Sequence, residues 1–235
     1  MKTDITNTSS LADKAYNVLR RAVLTNVLVS ESLWSDRELC EKFDLSRTPV
    51  REAILRLQLE QLVQIVPRKG MRVMPLRLED VRDIHQVTKA LELEAALLIA
   101  KSENRDEVLA IIEGAVEEME RAMQAKDRDA WVLADTRCHF AVVDKCGNKR
   151  LADMYHAQRG LTDRARYFVL HIRDLPMQST VEHRQMYEAL LNRDSQALER
   201  LYRQHWDRTT EEMLAIIEHH TSGLANTTLK MSAGI

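Results

Sequence analysis

The sequence predicts a mainly α protein: three helices and a small β-hairpin, followed by an all-α antiparallel helical bundle. Three observations carry that prediction. Only 6 Gly and 4 Pro interrupt 235 residues, too few for an all-β fold. Apolar residues recur at helical spacing from Leu11 almost to the end. Two short strand-like runs, Val63–Pro67 and Met71–Pro75, flank the turn-forming Arg68-Lys69-Gly70.

Taken in order, residues 1–9 read as a disordered lead. Leu11 to Leu24 carries apolar residues at 11, 12, 15, 16, 18, 19, 22, 23 and 24, a helix with a wide buried face. Ser35-Asp36-Arg37-Glu38 is a capping box, in which the Ser35 hydroxyl and the Glu38 carboxylate satisfy each other's free backbone amides. It opens a second helix to about Phe43. After Asp44-Leu45-Ser46, Pro49 suits the first position of a third helix, capped by Thr48 or entered at Ser46. That helix runs to about Gln61 and is expected to bury Val50, Ile54, Leu55, Leu57 and Leu62. Gly70 supplies the unusual backbone angles of the hairpin turn. The order of three helices and a basic-tipped hairpin is that of a winged helix-turn-helix, assigned to 1–76.

The second domain, 77–235, reads as six helices at about 79–102, 104–126, 128–146, 148–173, 178–192 and 195–220. Short breaks between them imply antiparallel neighbours. The small, polar stretch 221–235 is expected to be a frayed or disordered tail.

Bulk properties exclude several classes. Three cysteines, Cys40, Cys138 and Cys146, sit in helical patterns and do not form a disulfide framework. No apolar run approaches the roughly 20 residues of a membrane span, and the polar N-terminus lacks a signal-peptide core. The expected location is therefore the cytoplasm, with no membrane partner. The net charge of -2 is unevenly spread: residues 1–76 carry 12 Lys/Arg against 9 Asp/Glu, the rest 22 against 27. A basic head on an acidic body hints at nucleic-acid contact at one end.

The third helix sharpens that hint. Arg47 and Arg51 stand at i and i+4 and project from one face. A helix led by guanidinium groups suits the major groove, where arginine bonds guanine O6 and N7. A lone Arg-x3-Arg more often decorates a solvated helix. Here the capping box, the turn, Pro49 and the basic hairpin agree with it, and the expected partner is double-stranded operator DNA. One such head reads about half a turn of duplex, so useful specificity implies a homodimer on a two-fold site.

From Leu11 to Val73 the chain resembles the GntR family of bacterial transcription regulators, most specifically in SDRELCEKFDLSRTPVREAILRL. The resemblance implies that Arg37, Arg47 and Arg51 contact base edges or phosphates. Ser46 and Thr48 would hold the backbone at the helix start, and Lys69 and Gly70 would place the wing tip in the minor groove. Two family glycines before the second helix are replaced by Asn26 and Ser30, of which Asn tolerates left-handed geometry.

In the bundle, Asp135 and His139 at i and i+4 can face a single ion. His183 begins a later helix and His205 lies within the last one. One carboxylate and three imidazoles suit a divalent metal ion, Zn²⁺ first and Ni²⁺ or Mn²⁺ next. On spacing alone these histidines are more often partly exposed or hydrogen-bonded core residues than ligands. His85, His156 and His171 are further imidazoles that could line a cavity, though each is better read as solvated or hydrogen-bonded. Asp135-x3-His139, Gly147-Asn148, Glu182-His183-Arg184 and His205 together resemble the FCD effector domain of the FadR-like branch, over about 80–215. That resemblance implies an all-helical domain whose metal-binding members use these four positions, with a small-molecule effector, often an organic acid, bound beside the ion. Thr88 stands where many members carry an effector-anchoring arginine, four residues before Glu92. Arg159, Arg164, Arg166 and Lys89 are the candidates to substitute for it, and the sequence does not choose among them.

The function expected is a ligand-responsive, sequence-specific transcriptional regulator, a repressor of a metabolic operon by family habit. Two other readings use the same residues. In one the ion itself is the signal, making a metal sensor; in the other Asp135, His139, His183 and His205 activate water in a hydrolase. Four protein ligands and no evident base count against the hydrolase, and no catalytic residue is assigned.

Overall fold

The computed structural model describes residues 10–170 and 172–232, with side chains to His219. The lead 1–9 and His171 lie outside the described residues. The chain divides into two compact units, Met1–Arg77 with Arg159–Phe168, and Leu78–Gln158 with Val169–Ile235.

In the first unit, α1 (Leu11–Leu24) opens on a reciprocal Ser10–Asp13 capping box. After it, α2 (Asp36–Phe43) starts at Ser35 as the sequence predicts. The Glu38 amide donates to Ser35 Oγ at 3.2 Å, and the Ser35 amide donates to Glu38 Oε2 at 2.8 Å. Such a cap contributes about 1 kcal/mol and fixes where α2 begins. Asp44, left-handed at φ 52°, ends it, and α3 (Arg47–Leu59) follows after a short turn. Leu19, Leu39, Leu57, Leu62 and Met71 are fully buried where these helices meet the wing. Each such side chain contributes roughly 1.5–3 kcal/mol by leaving water.

The wing is a three-stranded antiparallel sheet in the order β1-β3-β2, from Leu33–Trp34, Val63–Val66 and Gly70–Val73. The sequence predicts only the hairpin of β2 and β3, whose register pairs Ile65 with Met71. Strand β1 is two residues long, too short for alternation to register, and pairs Leu33 with Arg72. Two local expectations are corrected, the position of Pro49 and the burial of Leu55. The helix α3 is entered at Ser46, one of the two starts the sequence allows, without a side-chain cap bond. Pro49 therefore occupies the third helical position, still within the first turn, where a missing N–H costs no helical bond. Leu55 is 55 % exposed, because it faces the open side of α3 rather than the core. In the loop before β1, the left-handed residues are Asn26 and, in place of Ser30, Glu31 (φ 58° and 63°).

The second unit contains α4 (Leu78–Lys101), α5 (Asp106–Ala125), α6 (Arg128–Asp144), α8 (Met177–Leu191), α9 (Ser195–Ser232) and both ends of α7 (Lys149–Leu170). The helices α5 and α6 pack together, as do α4 and α9, and α8 lies against α5 and α9. Two arginines finish helix ends whose carbonyls have no helical partner. Arg105 donates to the Leu190 and Leu191 carbonyls at the end of α8, and Arg193 to the Ala100 carbonyl of α4. The sequence expectation of a frayed segment from 221 is corrected in part: α9 continues to Ser232. One glycine and no proline lie in that stretch, so no residue there blocks the helical ladder.

Candidate nucleic-acid face and candidate metal centre

The sequence places both arginines of α3 at its first turn, and the structure leaves them exposed, along with Ser46 and Thr48. Between α3 and the wing runs a groove of about 620 Å³ whose lining includes Arg37, Arg47, Arg51, Arg68 and Lys69. One carboxylate, Asp36, lines it as well. It accepts from Arg51 Nε at 2.7 Å, while Arg37 Nε donates to Glu41 at 2.7 Å. Exposed pairs of this kind stabilise little, so both guanidinium groups are available to a polyanion.

Gly70 shapes the groove's far wall. Its φ of 109° is left-handed, and a Cβ there would lie 2.1 Å from the Trp34 carbonyl oxygen. Strand β3 can approach β1 only without a side chain at this position. Arg68, exposed at the wing tip with φ 63°, joins Lys69 as a basic tip residue. The sequence signals it by adjacency alone.

In the second unit three of the four predicted metal ligands, His139, His183 and His205, form one group, and Asp135 lies beside His139 and His183. Asp135 and His139 project from α6, His183 from α8 and His205 from α9, all buried. Asp135 Oδ1 lies 3.5 Å from His139 Nε2 and 3.4 Å from His183 Nε2, and the two nitrogens are 3.4 Å apart. One nitrogen from each of the three histidines falls within 4.8 Å of the others. Donors bonded at 2.0–2.1 Å in a tetrahedron stand about 3.4 Å from one another, so the spacing fits a transition-metal ion.

The outward nitrogens are spoken for. His139 Nδ1 meets Glu92 Oε1 at 2.8 Å, His205 Nδ1 meets Glu182 Oε2 at 2.6 Å, and His183 Nδ1 meets the Ser179 carbonyl at 2.6 Å. Since all three acceptors lack protons to give, each Nδ1 must donate, which leaves each Nε2 facing inward and able to offer a lone pair whenever its ring is neutral. Glu92 and Glu182 are the functional residues that spacing does not assign. Glu92 does carry a signal: a carboxylate on the same α4 face as the buried Thr88, Ala95, Ala96 and Ile99.

Electrostatics follow from this packing. Burial works against charge on His139, yet Glu92 and Asp135 outweigh it and push its pKa up to about 10. Burial pulls His183 down to about 4. Burial also opposes ionisation of Glu182, but His205 and Arg208 hold it down to about 2. Asp135, Glu92 and Glu182 thus place three carboxylates among these imidazoles, with the Arg208 guanidinium on Glu182. The crevice opening on His139 and His183, lined by Ile112, Val142, Met186 and Tyr202 among others, has about 10 Å³, room for roughly one water.

Of the candidate effector residues, Thr88 lies in the second unit and the three arginines in the first. Thr88 is buried one turn before Glu92, and its hydroxyl donates to the Ile84 carbonyl at 2.7 Å. Arg159, Arg164 and Arg166 belong to the segment grouped with the first unit. There Arg159 Nε donates to Asp163 at 2.9 Å and Arg164 donates to the Met74 carbonyl. His85 bonds Thr210 at 2.9 Å and His156 bonds Asp144 at 2.6 Å, so both are hydrogen-bonded as expected.

Comparison with known proteins agrees with both halves. Residues 11–73 match the model of the gntR family of bacterial regulatory proteins, and residues 83–208 match the FCD domain. An HTH-type transcriptional regulator from the TAR-I ttuE-ttuC' intergenic region of Agrobacterium vitis is 35% identical over 142 residues, 60% of this chain and 83% of that one. The HTH-type transcriptional repressor RspR of Escherichia coli K12 is 24% identical over 94% of this chain and 96% of its own. Among solved structures, E. coli McbR/YncC shares the fold with a TM-score of 0.76 at 17% identity, over 89% of this chain and all of that one. Family and relatives are transcriptional regulators, not enzymes, which removes the hydrolase reading. The chain belongs to the GntR family of bacterial transcription regulators and carries the FCD domain.

Proposed function

We propose that the protein is a metal-dependent, effector-responsive repressor. Two copies bind a two-fold operator through the α3–wing grooves, and Asp135, His139, His183 and His205 hold a divalent ion, Zn²⁺ foremost. The observation that carries the metal reading is one nitrogen from each of His139, His183 and His205 within 4.8 Å of the others, with Asp135 Oδ1 beside two of them, while every Nδ1 is engaged outward. The repressor reading is supported by RspR, which bears that name. When bound, the ion supplies a Lewis acid on which an anionic effector such as a small organic acid can be held. This chain's residues then hold the ion, exclude water and, by binding effector differently in two states, change operator affinity.

Titrating Zn²⁺ into chelator-stripped protein by competition with a chromophoric chelator tests the first step. Stoichiometric binding that disappears in D135A and H183A is expected. Equal binding by wild type and both variants would remove the site.

One observation favours a second reading. The crevice at His139 and His183 holds about one water, so the ion itself is a sufficient signal without an organic ligand. A metal sensor responds to the chelator alone. An effector-dependent regulator responds to small acids only once loaded with metal.

A further inference from the structure

We infer that Glu182 and Glu92 are positioning residues for the candidate metal centre, setting its affinity by fixing His205 and His139 as Nδ1–H tautomers with anionic acceptors. The inference rests on the metal reading above and adds to it which residues outside the ligand set control the ion. Glu92 is completely buried and accepts three bonds, from His139 Nδ1 at 2.8 Å, Tyr155 Oη at 2.7 Å and Trp206 Nε1 at 3.0 Å. Glu182 accepts from His205 Nδ1 at 2.6 Å and is itself gripped by Arg208, whose Nε donates at 2.8 Å. His183, by contrast, has only the neutral Ser179 carbonyl behind it.

The asymmetry has a consequence for the ligands. A carboxylate behind an imidazole orients the ring and makes its far nitrogen a stronger donor than a carbonyl does. His139 and His205 are therefore the two basic ligands, and His183 the weaker third. A neutral acceptor would serve Tyr155 and Trp206 equally, so the buried charge of Glu92 answers the imidazole of His139 and, through it, a cation held on the far nitrogen. The charge matters where a cation is to be held.

The test uses full-length, chelator-stripped protein and compares wild type, E182Q and E92Q in Zn²⁺ competition titrations. Thermal melting of the same metal-free samples is recorded alongside. Each variant is expected to bind Zn²⁺ about 10–100-fold more weakly, with metal-free melting unchanged. Long-range ¹H–¹⁵N spectra of the Zn²⁺-loaded wild type should show His139 and His205 protonated at Nδ1. If E92Q does not fold, E182Q decides, because its amide oxygen can still face His205. Unchanged affinity in E182Q overturns the inference while leaving the metal reading intact. Weaker binding matched by lower metal-free melting assigns the carboxylates to folding and also overturns it. A wild type that binds no Zn²⁺ removes the metal reading itself.

Discussion

At the scale of single residues, chemistry is concentrated in side chains whose neighbours leave them one task. Arg47 and Arg51 sit exposed on the first turns of α3, with Arg51 tethered to Asp36 by an ion pair too exposed to hold it against DNA. Replacing either with Ala should weaken specific operator binding by about 1–3 kcal/mol, read by fluorescence anisotropy on a selected operator. Unchanged affinity would take that arginine off the base edges. R68A should instead weaken all sequences alike and lower the salt slope by about one, as expected of a phosphate contact. Saturating Zn²⁺ at 100 times its dissociation constant should raise the stability of the wild type by about 2.7 kcal/mol and leave D135A unmoved. Equal shifts in denaturation midpoint would contradict the ligand assignment. Asp135 and His139 were legible from their spacing on one helix. Glu182 was not, because its partners His205 and Arg208 lie on another helix and meet it only through the α8–α9 packing.

At the scale of elements, local signals located the helices and missed what depends on distant backbone. The Ser35–Glu38 box fixed the start of α2 because both partners lie within one turn. Strand β1 left no such trace: two residues acquire their conformation from pairing with β3. The same pairing explains Gly70 better than turn geometry alone, since its missing Cβ admits the Trp34 carbonyl. G70V should therefore destabilise the first unit by about 1–3 kcal/mol or more, combining backbone strain with overpacking. Denaturant unfolding measures this, and a loss below a few tenths would show that β1 and β3 can separate freely. The continuation of α9 past residue 220 was equally hidden, since small polar residues suit a tail and a helix alike.

At the scale of the whole molecule, the two units divide the labour expected of a GntR-family regulator. One unit carries a basic groove beside an arginine-led helix; the other buries three imidazoles and three carboxylates in a helical bundle. Both were visible in outline from the sequence, because the arginine-led helix is a local feature and the Asp/His motif is partly one. The bonds of the candidate effector residues were not legible in it: Thr88 donates within α4, and Arg159 and Arg164 bond Asp163 and the Met74 carbonyl within the first unit. The most direct measurement is operator affinity, by anisotropy, of metal-stripped, Zn²⁺-loaded, and Zn²⁺-plus-organic-acid protein, each beside H183A. The account predicts a 5–150-fold change in affinity with ion or effector in the wild type and none in H183A. Identical binding curves in all states of the wild type would contradict it.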